Sequence, residues 1–237
     1  MTDLFKLLEF GPEGWGDEIA AGAWLTIRLA VATVPFGLII GFLVALARNS
    51  DNRPLQIAGN TFTTIFRGLP ELLTLFIIYY GGQILLQKLV GLFTDTYVEV
   101  NSFVAGMVAL GLVFAAFSGE VFLSALRAVS KGQREGGLAL GLTRFQTLWL
   151  IVFPQLWRYA LPGIANLWLV LLKDTSLVSV IALNDLLRMT NVVVGATKEP
   201  FFFYAVACAI YLLFSIISSF GITWIERRSA RGEAKTA

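Results

Sequence analysis

The chain has 237 residues, of which 57% are apolar and only 14% are charged, and its mean hydropathy is +0.74. A soluble domain carries about 25% charged residues, so this composition indicates an integral membrane protein. The net charge of +2 is too small to favour nucleic acid as a partner. With no histidine and a single cysteine, Cys208, the sequence predicts no disulfide, no histidine-based catalytic or metal site and no cofactor.

Residues 1–20 form an acidic segment that is interrupted by glycine and proline. The segment lacks the basic start and the cleavage site of a signal peptide. We therefore expect it to be retained in the protein and to lie on the outer side of the membrane.

Five apolar runs follow, and each is long enough to cross a bilayer, for which a helix needs roughly 20 residues. They cover residues 21–47, 55–86, 103–126, 157–183 and 201–225. The second run is interrupted by Arg67-Gly68-Leu69-Pro70-Glu71, and we expect its spanning part to begin at Pro70, after an amphipathic segment. The runs predict one all-α transmembrane domain over residues 21–226 and a tail over residues 227–237.

The positions of lysine and arginine predict the orientation of the chain, because these residues are enriched in cytoplasmic loops. With the N-terminus outside, the outer segments contain Lys6, Lys88, Arg188 and Lys198. The inner segments then contain Arg48, Arg53, Arg127, Lys131, Arg134, Arg144, Arg158, Arg227, Arg228, Arg231 and Lys235. This asymmetry predicts a periplasmic N-terminus and a cytoplasmic C-terminus.

A polar segment over about residues 128–156 separates the third run from the fourth, and it is too short and too charged to span a bilayer. Its charge pattern leaves two interpretations open. Its basic residues can hold it in the headgroup region, or it can dock on a protein outside the membrane. An acid followed by small residues suits docking, because small residues allow close backbone approach and a carboxylate forms a directional contact with arginine.

The spacing within this segment resembles the cytoplasmic loop signature of ABC transporter permease subunits. The matching residues are Glu135, Gly136, Gly137, Gly141, Ile151 and Pro154. Two glycines stand where that signature usually has two alanines. In that family the loop forms a coupling helix that fits a groove on the ATPase subunit, so the resemblance implies ATPase-coupling roles for Glu135, Gly136, Gly137 and Gly141.

The resemblance covers residues 26–228, and Lys173-Asp174-Thr175-Ser176-Leu177 matches a run of the polar amino acid branch. It implies the all-α fold of type I ABC importer permeases, with five transmembrane helices and a cytoplasmic coupling helix. Glu71 after Arg67-Gly68-Leu69-Pro70, and the run Glu199-Pro200-Phe201-Phe202-Phe203, resemble the histidine/lysine/arginine and opine permeases in particular.

Ionisable side chains inside the apolar runs are candidates for the substrate pathway, because such groups usually face a bundle interior or a cavity. They are Arg67, Glu71, Glu120, Lys173 and Asp174. Each can instead have a structural role in an ion pair, and one such pair would join Glu71 to Arg67, one helical turn earlier.

Lys173 and Asp174 leave a similar choice open. Adjacent residues on a regular helix point about 100° apart, so both would need partners on other helices. Alternatively the helix breaks there, Thr175 and Ser176 satisfy the freed backbone groups, and the break lines a binding cavity.

The sequence therefore predicts the membrane-spanning permease subunit of an ATP-driven importer for polar, in particular basic, amino acids or opines. It contains no Gly-x-x-x-x-Gly-Lys-Ser/Thr phosphate loop, so the chain itself is predicted not to be the ATPase. The resemblance implies a location in the bacterial inner membrane, among the lipids of the bilayer. The implied partners are a second permease subunit (a paralogue or a second copy), two copies of an ATP-binding subunit and a periplasmic substrate-binding protein.

The sequence leaves two alternatives open. One is an ion-coupled secondary carrier with Glu71, Glu120 and Asp174 as cation or proton ligands, although such carriers often contain inverted repeats. The other is an ABC importer for neutral or acidic amino acids.

Overall fold

A computed structural model describes the backbone of residues 2–94 and 97–230, and the side chains of residues 4–94 and 97–228. Within these ranges the α-helices are α1 (Thr2–Lys6), α2 (Gly16–Arg48), α3 (Arg53–Gly68), α4 (Glu71–Val90), α5 (Ser102–Ala128), α6 (Lys131–Ala139), α7 (Arg144–Thr147), α8 (Phe153–Asp174), α9 (Leu186–Thr197) and α10 (Pro200–Ala230). A π-helical segment, Leu148–Val152, joins α7 to α8, and a 3-10 helix, Thr175–Ile181, follows α8. Of the tail predicted over residues 227–237, residues 231–237 lie outside the described residues.

Five segments of the described chain are long and apolar enough to cross a membrane. They are Gly16–Arg48, Glu71–Val90, Ser102–Ala128, Arg144–Ile181 and Pro200–Arg228. This confirms the five predicted spans and the start of the second span after Pro70. The fourth segment begins earlier than predicted, because the π-helical segment keeps α7 and α8 in one continuous helical stretch.

The centre of the fold is the contact between α2 and α5, in which small residues let the two backbones approach closely. A Cβ atom added to Gly41 would lie 2.9 Å from the carbonyl oxygen of Ala115, and one added to Gly37 would lie 3.0 Å from that of Gly111. The hydroxyl of Ser118 donates a hydrogen bond of 3.4 Å to the carbonyl oxygen of Gly37. Such close packing replaces the hydrophobic effect as the force that joins helices inside a bilayer.

The short helix α3 lies against α2 and α5 and ends where α4 begins. Gly68 is its last residue, Leu69 has an extended backbone, and Pro70 precedes the first turn of α4. Because Pro70 has no backbone N–H to donate, the chain cannot continue α3 into α4 as one regular helix. This break places Arg67 and Glu71 on two different helices.

Candidate functional site

One carboxylate oxygen of Glu120, on α5, forms ion pairs with two arginine side chains. Arg48 Nη1 of α2 lies 2.9 Å from Glu120 Oε1, and Arg67 Nη1 of α3 lies 2.8 Å from it. Arg48 also donates to Asn60 Oδ1 of α3 over 2.8 Å. We call Arg48, Arg67 and Glu120 the ion cluster. It connects α2, α3 and α5.

The ion cluster shows that one of the alternatives from the sequence is wrong. Arg67 pairs with Glu120 and not with Glu71, because Pro70 separates α3 from α4 and removes the one-turn spacing that a Glu71–Arg67 pair would need. The guanidinium carbon of Arg67 also lies 5.4 Å from the centre of the Phe117 ring, within the range of a cation–π contact.

A cavity of about 270 Å³ opens between α4, α5 and α8, and Glu71 and Asp174 both line it. Asn166 adds an amide to the lining, and Phe114 and Phe117 form part of an otherwise apolar wall. We call this the acidic cavity. Within the described part of the chain, neither Glu71 nor Asp174 forms an ion pair with a lysine or arginine.

Residues at helical spacing on α5 and α8 line the acidic cavity. Asn166, Val170 and Asp174 follow each other at intervals of four on α8, so they lie on one face of that helix. Phe114 and Phe117 share a face of α5, and Glu120 continues that face by one further turn. The face of α5 therefore leads from the acidic cavity to the ion cluster.

The helix α8 ends at Asp174, which agrees with the interpretation in which the helix breaks at Lys173 and Asp174. The Thr175 hydroxyl donates a hydrogen bond of 2.7 Å to the carbonyl oxygen of Leu172, and the chain continues as a 3-10 helix. Thr175 is buried and Ser176 is half-buried, and neither lines the acidic cavity. Lys173 is exposed and also lies outside the cavity lining.

Several residues of these sites are not predicted by the sequence. Phe117 and Asn166 are two of them, although the spacing of Asn166, two helical turns before Asp174, places Asn166 and Asp174 on the same face of α8. Arg48 was counted only as a basic residue of an inner segment. Arg28, an exposed residue inside α2, was also overlooked, and no hydrogen bond or ion pair joins it to another described residue.

The polar segment with the loop signature forms the short helices α6 and α7. Leu142 N–H donates to the carbonyl oxygen of Gly137 over 3.1 Å, and Gly141 N–H to that of Leu138 over 3.0 Å, which together end α6 in a Schellman motif. Gly141 has φ of +82°, a conformation that favours glycine. Thr143 and Gln146 then form a capping box that starts α7.

Gly137 brings α6 against the segment that leads into α8. A Cβ atom added to Gly137 would lie 2.7 Å from Ile151 Cδ1 and 2.9 Å from Thr147 Cγ2. Gly136 faces open space, and Glu135 is exposed and forms no hydrogen bond or ion pair with a described residue. The spacing from the glycines to Ile151 thus has a packing reason, and Glu135 is available to a partner.

Comparisons with known proteins identify the family. Residues 37–231 match the family described as the binding-protein-dependent transport system inner membrane component. The chain belongs to this family. It is 39% identical over 228 residues to the octopine transport system permease protein OccQ of Rhizobium meliloti, with 96% of each chain covered.

Two further relatives agree. The arginine ABC transporter permease protein ArtQ of Escherichia coli strain K12 is 40% identical over 230 residues, which cover 92% of this chain and 97% of the relative. The crystal structure of an amino acid ABC transporter with histidines has a TM-score of 0.76 at 28% identity, and it covers 90% of this chain and 95% of that one.

These relatives confirm the predicted family and the all-α fold of a type I importer permease. The chain is a multi-pass inner membrane protein and the permease subunit of an ABC importer. Permeases of this family work with a separate ATP-binding subunit and a substrate-binding protein. The family assignment also favours the importer over the alternative of an ion-coupled secondary carrier.

The two adjacent glycines of α6 should respond oppositely to alanine. Gly136→Ala adds helix propensity of up to about 1 kcal/mol in open space, so it should slow hydrogen exchange of the amides in residues 131–139. Gly137→Ala pushes α6 away from Thr147 and Ile151 and should speed that exchange, since overpacking costs about 1–3 kcal/mol. Equal effects of the two substitutions would contradict this packing.

Proposed function

We propose that this permease carries basic amino acids or opines and that the acidic cavity binds their cationic group. The observation that carries the proposal is the pair of carboxylates, Glu71 and Asp174, that line one cavity without a lysine or arginine partner among the described residues. Two carboxylates in a low-dielectric site are costly unless a cation joins them. A substrate guanidinium or ammonium group can supply that cation.

The dimensions and polarity of the cavity agree with a small ligand. Its volume of about 270 Å³ is near the lower end of typical ligand pockets, roughly 300–1,000 Å³. The aromatic rings of Phe114 and Phe117 can pack against the aliphatic part of a side chain, and Asn166 can hydrogen-bond a polar group. The relatives add support, because one is named as an arginine permease and another as an octopine permease.

The charge of Glu71 should matter for cationic substrates in particular. Hydrogen bonds to charged groups contribute about 1.5–3 kcal/mol, so Glu71→Gln should reduce the transport of arginine about tenfold to a hundredfold. Citrulline has a neutral urea group in place of the guanidinium, and its transport should fall much less. The measurement is uptake of both compounds into vesicles that contain the complete importer.

Glu120→Gln is the matched control for this experiment. It removes a carboxylate of the ion cluster, so it should lower assembly or transport of both substrates to the same extent. Equal loss of arginine and citrulline transport in Glu71→Gln would place Glu71 in the framework of the protein and not in its substrate site.

We further propose that α6 is the coupling helix and that Glu135 contacts the ATP-binding subunit. Glu135 is exposed, and the adjacent Gly136 leaves room for a close backbone approach. The assembled importer would contain two permease subunits, two ATP-binding subunits and a periplasmic substrate-binding protein. Closure of the ATPase pair would move α6 and with it the attached ends of α5 and α8.

Reversing the charge of Glu135 should separate ATP hydrolysis from transport. Glu135→Arg should reduce uptake about tenfold or more, while insertion into the membrane and the amount of protein stay unchanged. Glu99→Arg, which changes another exposed acid between α4 and α5, should transport normally. Uptake and ATPase rates of both variants in the same vesicles test this, and normal uptake by Glu135→Arg would remove the docking role.

We also propose that the N-terminus lies in the periplasm and the C-terminus in the cytoplasm. The basic residues of the inner segments support this orientation. A cysteine at exposed Glu99, in a background without Cys208, should react with an impermeant reagent in spheroplasts. A cysteine at exposed Gln133 should react only after the membrane is opened, and labelling of Gln133→Cys in intact spheroplasts would reverse the orientation.

A further inference from the structure

A second cavity lies apart from the acidic cavity, between α6, α7 and the ends of α2 and α5. Its volume is about 380 Å³. Its polar lining consists of Asn49, Arg134, Arg144 and Thr147, and leucine and valine side chains form the rest. Because no carboxylate is among these lining residues, the two guanidinium groups give this cavity a formal charge of +2. We call it the basic cavity.

Two polar atoms of the basic cavity are buried without a hydrogen-bond partner in the described chain. They are Arg134 Nε and Thr147 Oγ1. Arg134 is held in place, because its Nη2 donates a hydrogen bond of 2.6 Å to the carbonyl oxygen of Leu126 at the end of α5. A buried polar atom without a partner is unfavourable, so both atoms suit a ligand that accepts hydrogen bonds.

We propose that the basic cavity binds a phosphate group, either on an anionic phospholipid or as free phosphate. Arginine recognises phosphate oxygens through its planar set of donors, and here Arg134 and Arg144 line one cavity together with Asn49 and Thr147. For a lipid headgroup the proposal rests on the orientation proposed above, which places the cavity on the cytoplasmic side of the membrane. Phe145 of α7 and Leu150 of the π-helical segment are exposed, as expected for side chains that contact lipid.

A bound phosphate would connect the parts that move during coupling. Arg134 belongs to α6 and Arg144 to α7, whereas Asn49 follows α2. One ligand held by all three ties the coupling helix to the membrane-spanning bundle. Anionic lipid would then stabilise this connection and alter how movement of α6 reaches α5.

Thermal unfolding of the purified protein in neutral detergent tests the site without relying on transport. The additives are inorganic phosphate, phosphatidylglycerol and, as a neutral headgroup, phosphatidylcholine, each at matched ionic strength. The unfolding temperature should rise with phosphate or phosphatidylglycerol and not with phosphatidylcholine. A rise with phosphate alone assigns the site to free phosphate, and a rise that requires phosphatidylglycerol assigns it to a lipid headgroup.

Three variants make the test specific. Arg144→Gln should need about tenfold more ligand for the same rise, since it loses one charge-assisted contact. Thr147→Val keeps the packing against Gly137, so it should unfold normally without ligand and respond less to it. Arg53→Gln changes an exposed arginine outside the cavity and should respond as the unaltered protein does. No rise in the unaltered protein, or an undiminished rise in both Arg144→Gln and Thr147→Val, would overturn the proposal.

Discussion

A charged side chain inside the bilayer is costly unless a partner or water compensates it, and this constraint accounts for the contacts of Glu120. Glu120 meets it with two arginines, Arg48 at 2.9 Å and Arg67 at 2.8 Å, drawn from two other helices. The ion cluster is therefore satisfied within the chain and fixes α2, α3 and α5 relative to one another. Because the side chains of Glu120 and Arg67 remain 31% and 43% exposed, removing one member should cost less than it would in a fully buried ion pair.

The same constraint distinguishes the acidic cavity from the ion cluster. Glu71 and Asp174 lie on the same side of α5 as the cluster, yet no described arginine or lysine pairs with either. Arg67 pairs with Glu120 through its Nη1, and its guanidinium lies over Phe117, so in this structure it belongs to the ion cluster. The arrangement leaves two acids that a cationic substrate can neutralise, in a cavity whose wall is mostly apolar.

The acidic cavity and the coupling segment are connected through α5. Phe117 lines the cavity, and Leu126, nine residues later, accepts the hydrogen bond from Arg134 of α6. At 1.5 Å per residue these positions are roughly 14 Å apart along the helix axis. A rigid helix of this length can transmit a displacement of α6 to the cavity wall.

The sequence predicted the spans and the break before α4, because these depend on local features: apolar runs and Pro70. It left open whether the helix continues or breaks at Lys173 and Asp174. It did not predict which charges pair. The partner of Arg67 depends on how α3 and α5 are rotated about their axes. A rotation of α3 by about 100°, the angle between adjacent residues, would give Arg67 a different partner. Asp174 could be joined to Asn166 by helical spacing, but its proximity to Glu71 depends on tertiary packing.

The central claim is that the acidic cavity receives its positive charge from the substrate. A structure of the assembled importer with arginine bound, at a resolution that shows side chains, tests it most directly. We expect the guanidinium group of the ligand to lie between Glu71 and Asp174, within hydrogen-bonding distance of both. An arginine or lysine of the second permease subunit between these carboxylates, with the ligand bound elsewhere, would contradict it.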